Sequence, residues 1–70
     1  MNSLTSSQLA SRITSMTLSG MKQFFADSDI NVSWRIAQEN GYDRVLTGDF
    51  NSERLNLVLM DDLIVRVWLG

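Results

Sequence analysis

Two close carboxylates can divide the work of a general acid and a general base, and the chain has two such pairs, Asp27 with Asp29 and Asp61 with Asp62. Each pair sits where a polar turn is expected, a setting in which aspartate bonds its own backbone. Turn residues are therefore the simpler reading. With no histidine and no cysteine, the triad and thiol chemistries are absent, and so is a mixed histidine and cysteine metal site. No glycine-rich phosphate loop and no metal-ligand spacing appears. Seventy residues also leave little room to enclose a pocket of about 300 Å³ or more. The expectation is a protein that is not an enzyme and needs no cofactor or metal.

One polar run remains, Thr47-Gly48-Asp49-Phe50-Asn51-Ser52-Glu53-Arg54-Leu55-Asn56, which leads straight into a strand pattern. Gly48-Asp49 alone reads as a hairpin turn, because glycine permits positive φ and aspartate bonds its own backbone. Arg54 alone reads as a solvated strand-edge residue. Asn56 says more, since a strand disfavours asparagine unless it has a hydrogen-bonding role. Phe50, set among polar residues, is either a contact for a partner or a side chain folded back on the core.

Around this run the hydrophobic pattern defines the elements. In TSSQLASRITSM, Leu9, Ile13 and Met16 fall on one helical face, and Thr5 with Gln8 has capping-box spacing. TLSGMKQFFADSD places Leu18, Met21, Phe24 and Phe25 on one side of a second helical stretch that DSD can stop. Thr17 or Ser19 could cap it, so the break between the two stretches stays open. INVSWRIA alternates Ile30, Val32, Trp34 and Ile36 with polar residues, the period of a strand with one buried face. Asn40-Gly41 is a turn signal.

LNLVLMDDLIVRVW then holds two strands in an antiparallel hairpin around Asp61-Asp62, with Leu55, Leu57 and Leu59 on one face and Leu63, Val65 and Val67 on another. Trp34 and Trp68 read as core or sheet-surface packing. The whole is α+β: one main amphipathic helix on a small mixed sheet, plus an extra N-terminal helical segment. Two topologies remain for the middle. Either Arg44-Val45-Leu46 is a strand that hairpins back through TGDFNSE, or residues 38–54 form one long excursion between parallel strands. Long loops without secondary structure inside a compact domain are usually functional.

Composition bounds the partners. A domain of this size has only a small core, and no disulfide or metal supports it. The net charge is −2, with the six bases scattered singly, so no basic stripe offers to replace the counterions of a nucleic acid. No stretch approaches a membrane span. The N-terminus lacks the charged and apolar regions of a secretory signal, which suits either a cytoplasmic protein or the mature form of an exported one.

The run from Thr47 to Asn56, followed by a hydrophobic strand, an acidic turn and VRVWLG, resembles the I78 family of peptidase inhibitors, itself similar to the potato inhibitor I (chymotrypsin inhibitor 2, eglin) family. Thr47, Asp49, Phe50, Glu53 and Arg54 fall on matching positions, and the resemblance covers residues 17–70. It implies a potato inhibitor I-like fold with a long exposed loop, and inhibition of a subtilisin-like or elastase-like serine protease by substrate mimicry through residues 47–54. In that mapping Gly48 precedes the scissile bond and Asp49 follows it. Thr47, Phe50 and Asn51 complete the protease-binding loop, while Glu53, Arg54 and Asn56 support it, with Arg54 and Asn56 reaching Asp49 and Thr47 from beneath. Asn56 stands where potato-type inhibitors commonly carry an arginine, and Gly48 gives a primary specificity pocket no side chain. Residues 1–16 then form a separate N-terminal helical extension, covering the sheet or making a dimer contact. The alternative function is a non-inhibitory interaction or regulatory module on the same scaffold.

Overall fold

In a computed structural model, residues 4–44 and 48–70 are described. They form two helices and a four-stranded mixed sheet, an α+β arrangement. Helix α1 is Ser6–Ile13. The hydroxyl of Thr5 accepts from the Gln8 backbone N–H and the Gln8 side chain accepts from the Thr5 N–H, so the capping box is complete. The helix stops three residues before Met16 because Ser15 turns left-handed at φ 81°. The linker then pairs with a strand instead: Ser15 N–H donates to the Ile64 carbonyl at 2.7 Å and Ile64 N–H to the Met16 carbonyl at 2.8 Å.

Thr17 is the cap of α2, Leu18–Asp27. At its other end Asp29 adopts φ 54°, and Ile30 N–H reaches back to the Phe25 carbonyl at 2.9 Å. This left-handed closure satisfies the last helical carbonyls. It also explains why the first strand starts late: Ile30 is engaged with the helix end, and Ile30 and Val32 pack against the core outside the ladder.

The strands are β1 (Trp34–Glu39), β2 (Tyr42–Asp43), β3 (Leu55–Met60) and β4 (Leu63–Leu69), in the order β2-β1-β3-β4. Of the two topologies left open for the middle, the structure has the excursion between parallel strands, and the short β2 inside it pairs back on β1 and not forward on β3. The chain first hairpins into β2 through Asn40-Gly41, then crosses to β3, which runs parallel to β1. Arg44 follows β2 directly, and Val45 and Leu46 lie outside the described residues.

The helices cover one face of the sheet. Ile13, Met21, Leu55, Leu57, Leu59 and Ile64 are fully buried there, each contributing about 1.5–3 kcal/mol through burial. The expected face of β4 needs correction. Leu63 and Val65 are exposed, whereas Ile64, Val67 and Leu69 lie opposite Leu59, Leu57 and Leu55. A register shift opposite Val58 and Leu59 leaves Val65 unpaired, and one extra residue in a strand moves every side chain beyond it to the other face. Leu9 and Ile13 belong to the same core as Met21 and Phe25. Helix α1 therefore covers the sheet and shares its core with α2, and self-association through α1 would have to use its outward side.

Candidate functional site

Both tight turns lie at one end of the sheet, and the polar run lies at the other. Among its described residues Gly48, Asp49, Phe50, Asn51, Ser52 and Glu53 are all exposed. Thr47 falls outside the described residues. Phe50 is 76% exposed, so it is not folded into the core. A side chain begun at Gly48 would meet none of the described residues within 4 Å.

Arg54 leaves the start of β3 and turns under this run. Its side chain is only 13% exposed. It donates Nη2–H to the Asp49 carbonyl at 2.9 Å, Nη1–H to Asp49 Oδ2 at 3.3 Å and Nε–H to the Gly70 carbonyl at 2.9 Å. The Asp49 side chain is mostly in solvent, so its ion pair contributes little by itself. The two carbonyl contacts are the ones that fix geometry. A planar guanidinium with donors in a rigid fork ties two stretches of backbone together at set distances.

Asn56 is completely buried on the sheet face away from the helices. Its Nδ2 donates to the Trp68 carbonyl at 3.3 Å and the Gly70 carbonyl at 3.1 Å, and its Oδ1 accepts from Arg35 Nε–H at 2.5 Å. None of these bonds goes to the described part of the exposed run. Asn56 meets Arg54 instead at a shared acceptor, the carbonyl of Gly70, and Gly70 N–H returns a bond to the Arg54 carbonyl at 3.1 Å. This accounts for asparagine in a central strand: β4 needs a buried donor to hold its end.

The exit of the run is a local turn. Asn51 Oδ1 accepts from Glu53 N–H at 3.0 Å and the Asn51 carbonyl accepts from Arg54 N–H at 3.0 Å. Glu53 in turn meets α1, where the Ser6 hydroxyl lies 2.9 Å from both its carbonyl oxygen and its Oε2. Of the residues singled out in the sequence, the fold thus brings Asp49, Arg54, Asn51 and Glu53 together around one arch and puts Asn56 one step behind it.

Sequence reading missed Ser6, Arg35 and Gly70. A capping box marks Ser6 as the first residue of a helix, but nothing local says that its hydroxyl reaches a residue 47 positions away. Arg35 meets Asn56 because the parallel register sets them side by side, and register is not visible in either segment alone.

Two open surface depressions, of about 390 and 400 Å³, lie among the described residues, and neither is an enclosed pocket. The first lies between α1, the Asp29 to Ser33 stretch and Glu53. The second lies on the uncovered sheet face beside Val58, Arg66 and Trp68. Among the described residues no group of three histidine, cysteine, aspartate or glutamate side chains could hold a metal ion. Comparison of the chain with protein-family models, curated proteins and solved structures gives no match.

Proposed function

We propose that this protein is a substrate-mimicking inhibitor of a serine protease, subtilisin-like or elastase-like, on a potato inhibitor I-like scaffold with residues 47–54 as the long exposed loop. One observation carries the reading: a largely buried Arg54 grips the backbone of an exposed Asp49 and the end of the sheet at once. An extended segment can pair with a protease cleft through its main chain. Holding that segment in shape beforehand lowers the cost of ordering it on binding.

In this reading a cut between Gly48 and Asp49 frees an amine on Asp49, and Arg54 keeps that amine beside the acyl-enzyme. Re-formation of the bond then competes with release, as expected when the reacting groups are held close together. Thr47 occupies the subsite before Gly48, and Phe50 and Asn51 those beyond Asp49. The mostly exposed Phe50 ring is available for such a contact.

Titration against subtilisin, an elastase and trypsin, with chain integrity followed by mass spectrometry, tests the proposal. Stoichiometric inhibition with slow or no cleavage at Gly48-Asp49 supports it. Rapid cutting between residues 47 and 54 without inhibition overturns it. Gly48→Leu sharpens the test, because no described residue comes within 4 Å of the position its Cβ would take. Burying a leucine in a specificity pocket is worth about 1.5–3 kcal/mol, so inhibition of subtilisin should tighten roughly ten- to a hundredfold, with the melting temperature unchanged.

A second reading, a non-inhibitory interaction module, has its own observation. The sheet face opposite the helices carries exposed Met60 and Trp68, with Arg66 stacked 5.7 Å from the Trp68 ring. Loss of inhibition in every titration would turn attention to that face.

A further inference from the structure

We infer that α1 is a second clamp on the loop, with Ser6 as the positioning residue that fixes the loop's exit through Glu53. The inference rests on the inhibitor reading for its functional meaning and on independent contacts for its geometry. Ser6 is only 6% exposed although its partner Glu53 is exposed. Its hydroxyl has one proton to give, and both acceptors within reach, the carbonyl oxygen and Oε2 at 2.9 Å each, belong to Glu53. Whichever accepts, the bond ties the same residue.

The helix behind Ser6 is firmly seated. Its cap is closed by Thr5 and Gln8, and Leu9 and Ile13 anchor it in the core. Arg54 fixes the loop at Asp49, and Ser6 fixes it at Glu53. Phe50, Asn51 and Ser52 then form an arch with both feet tied to the scaffold.

Gly70 holds Arg54, one residue further on, while the remaining bonds around Glu53, from Glu53 and Arg54 N–H to Asn51, lie within the loop. They shape its turn and move with it. Among the described residues Ser6 alone joins Glu53 to a different part of the chain in these contacts, so losing its hydroxyl should free the exit and let the Asn51 turn open more often. A loop with a free exit loses part of the preorganisation on which tight binding depends.

The test uses the full chain and two variants, Ser6→Ala and Thr5→Ala. The second removes the cap and weakens the helix without touching Glu53, and so controls for stability. Amide hydrogen exchange at Glu53 and Arg54, whose N–H groups are bonded within the loop, is compared with exchange at Leu57 in the core strand, together with inhibition of subtilisin. Ser6→Ala should speed loop exchange about tenfold beyond the change at Leu57, the scale of one hydrogen bond to a charged acceptor, and weaken inhibition by a similar factor. Thr5→Ala should move loop and core together. Equal changes at loop and core in Ser6→Ala overturn the clamp. A wild-type protein that inhibits nothing, while Ser6→Ala still frees the loop selectively, would sink the inhibitor reading and leave the clamp standing. Unchanged inhibition and loop exchange in Ser6→Ala would do the reverse.

Discussion

At one end of the sheet the chain reverses through Asn40-Gly41 and Asp61-Asp62, with φ of 52°, 84°, 50° and 69°. At the other end it runs from Asp49 to Arg54 with no residue in the left-handed region. The two ends are held by different physics. Each turn has positive φ at both central residues, the geometry that suits the twist of a two-residue hairpin, so its shape comes from its own backbone. A single side-chain bond joins the two turns, from Asp61 N–H to Asn40 Oδ1 at 2.7 Å. The loop gets its shape from side chains and termini that meet only in the folded chain: Arg54, Gly70 and Ser6.

The largest expected effect comes from removing the side chain that makes the ends differ. Arg54→Ala deletes the bonds to Asp49 and Gly70. Hydrogen bonds from a charged group contribute about 1.5–3 kcal/mol, so loop amide exchange should rise roughly ten- to a hundredfold and inhibition should fall by at least as much. Exchange in the two turns should change only with global stability. If loop exchange stays at the wild-type rate, the loop is self-supporting like the turns, and the distinction between the two ends collapses.

This difference also sets what could be read from the sequence. Asn40-Gly41, Asp61-Asp62, the Thr5 capping box and the Leu55, Leu57, Leu59 face were legible because each depends on residues near one another. The inward face of β4 was not, because one unpaired residue at Val65 reverses it. The late start of β1 was hidden for a similar reason, since Ile30 alternates like a strand residue but closes α2. In the loop, the arginine and its aspartate are five positions apart, and their meeting was anticipated from a resemblance. The route of Asn56 to Gly70, and of Ser6 to Glu53, depends on strand register and helix placement.

A smaller effect probes the turn end. Gly41 has φ 84° and nothing within 4 Å of the position a Cβ would take. Gly41→Ala therefore introduces backbone strain and no clash. A left-handed alanine costs about 1–2 kcal/mol, and each kilocalorie should lower the melting temperature by roughly 4–8 °C in a domain of this size. The strain is confined to the hairpin, so protease cutting at the loop should keep its wild-type rate at temperatures well below the transition. A selective rise in cutting would mean that strain at Gly41 travels the length of the sheet.

The smallest effect has the opposite sign. Asp62 is the second central residue of the β3-β4 turn, between the paired Met60 and Leu63, at φ 69°. Aspartate tolerates this region better than most residues because its side chain bonds locally, yet glycine enters it without a Cβ penalty. Asp62→Gly also widens the freedom of the unfolded chain, which offsets part of the relief. The backbone bond from Leu18 N–H to the Asp62 carbonyl at 3.0 Å needs no side chain and should persist. The net expectation is a gain of about 0.5 kcal/mol, read as a small rise in the urea midpoint with the slope unchanged. A clear loss would show that the Asp62 side chain supports the turn, which would then depend, as the loop does, on more than its own backbone.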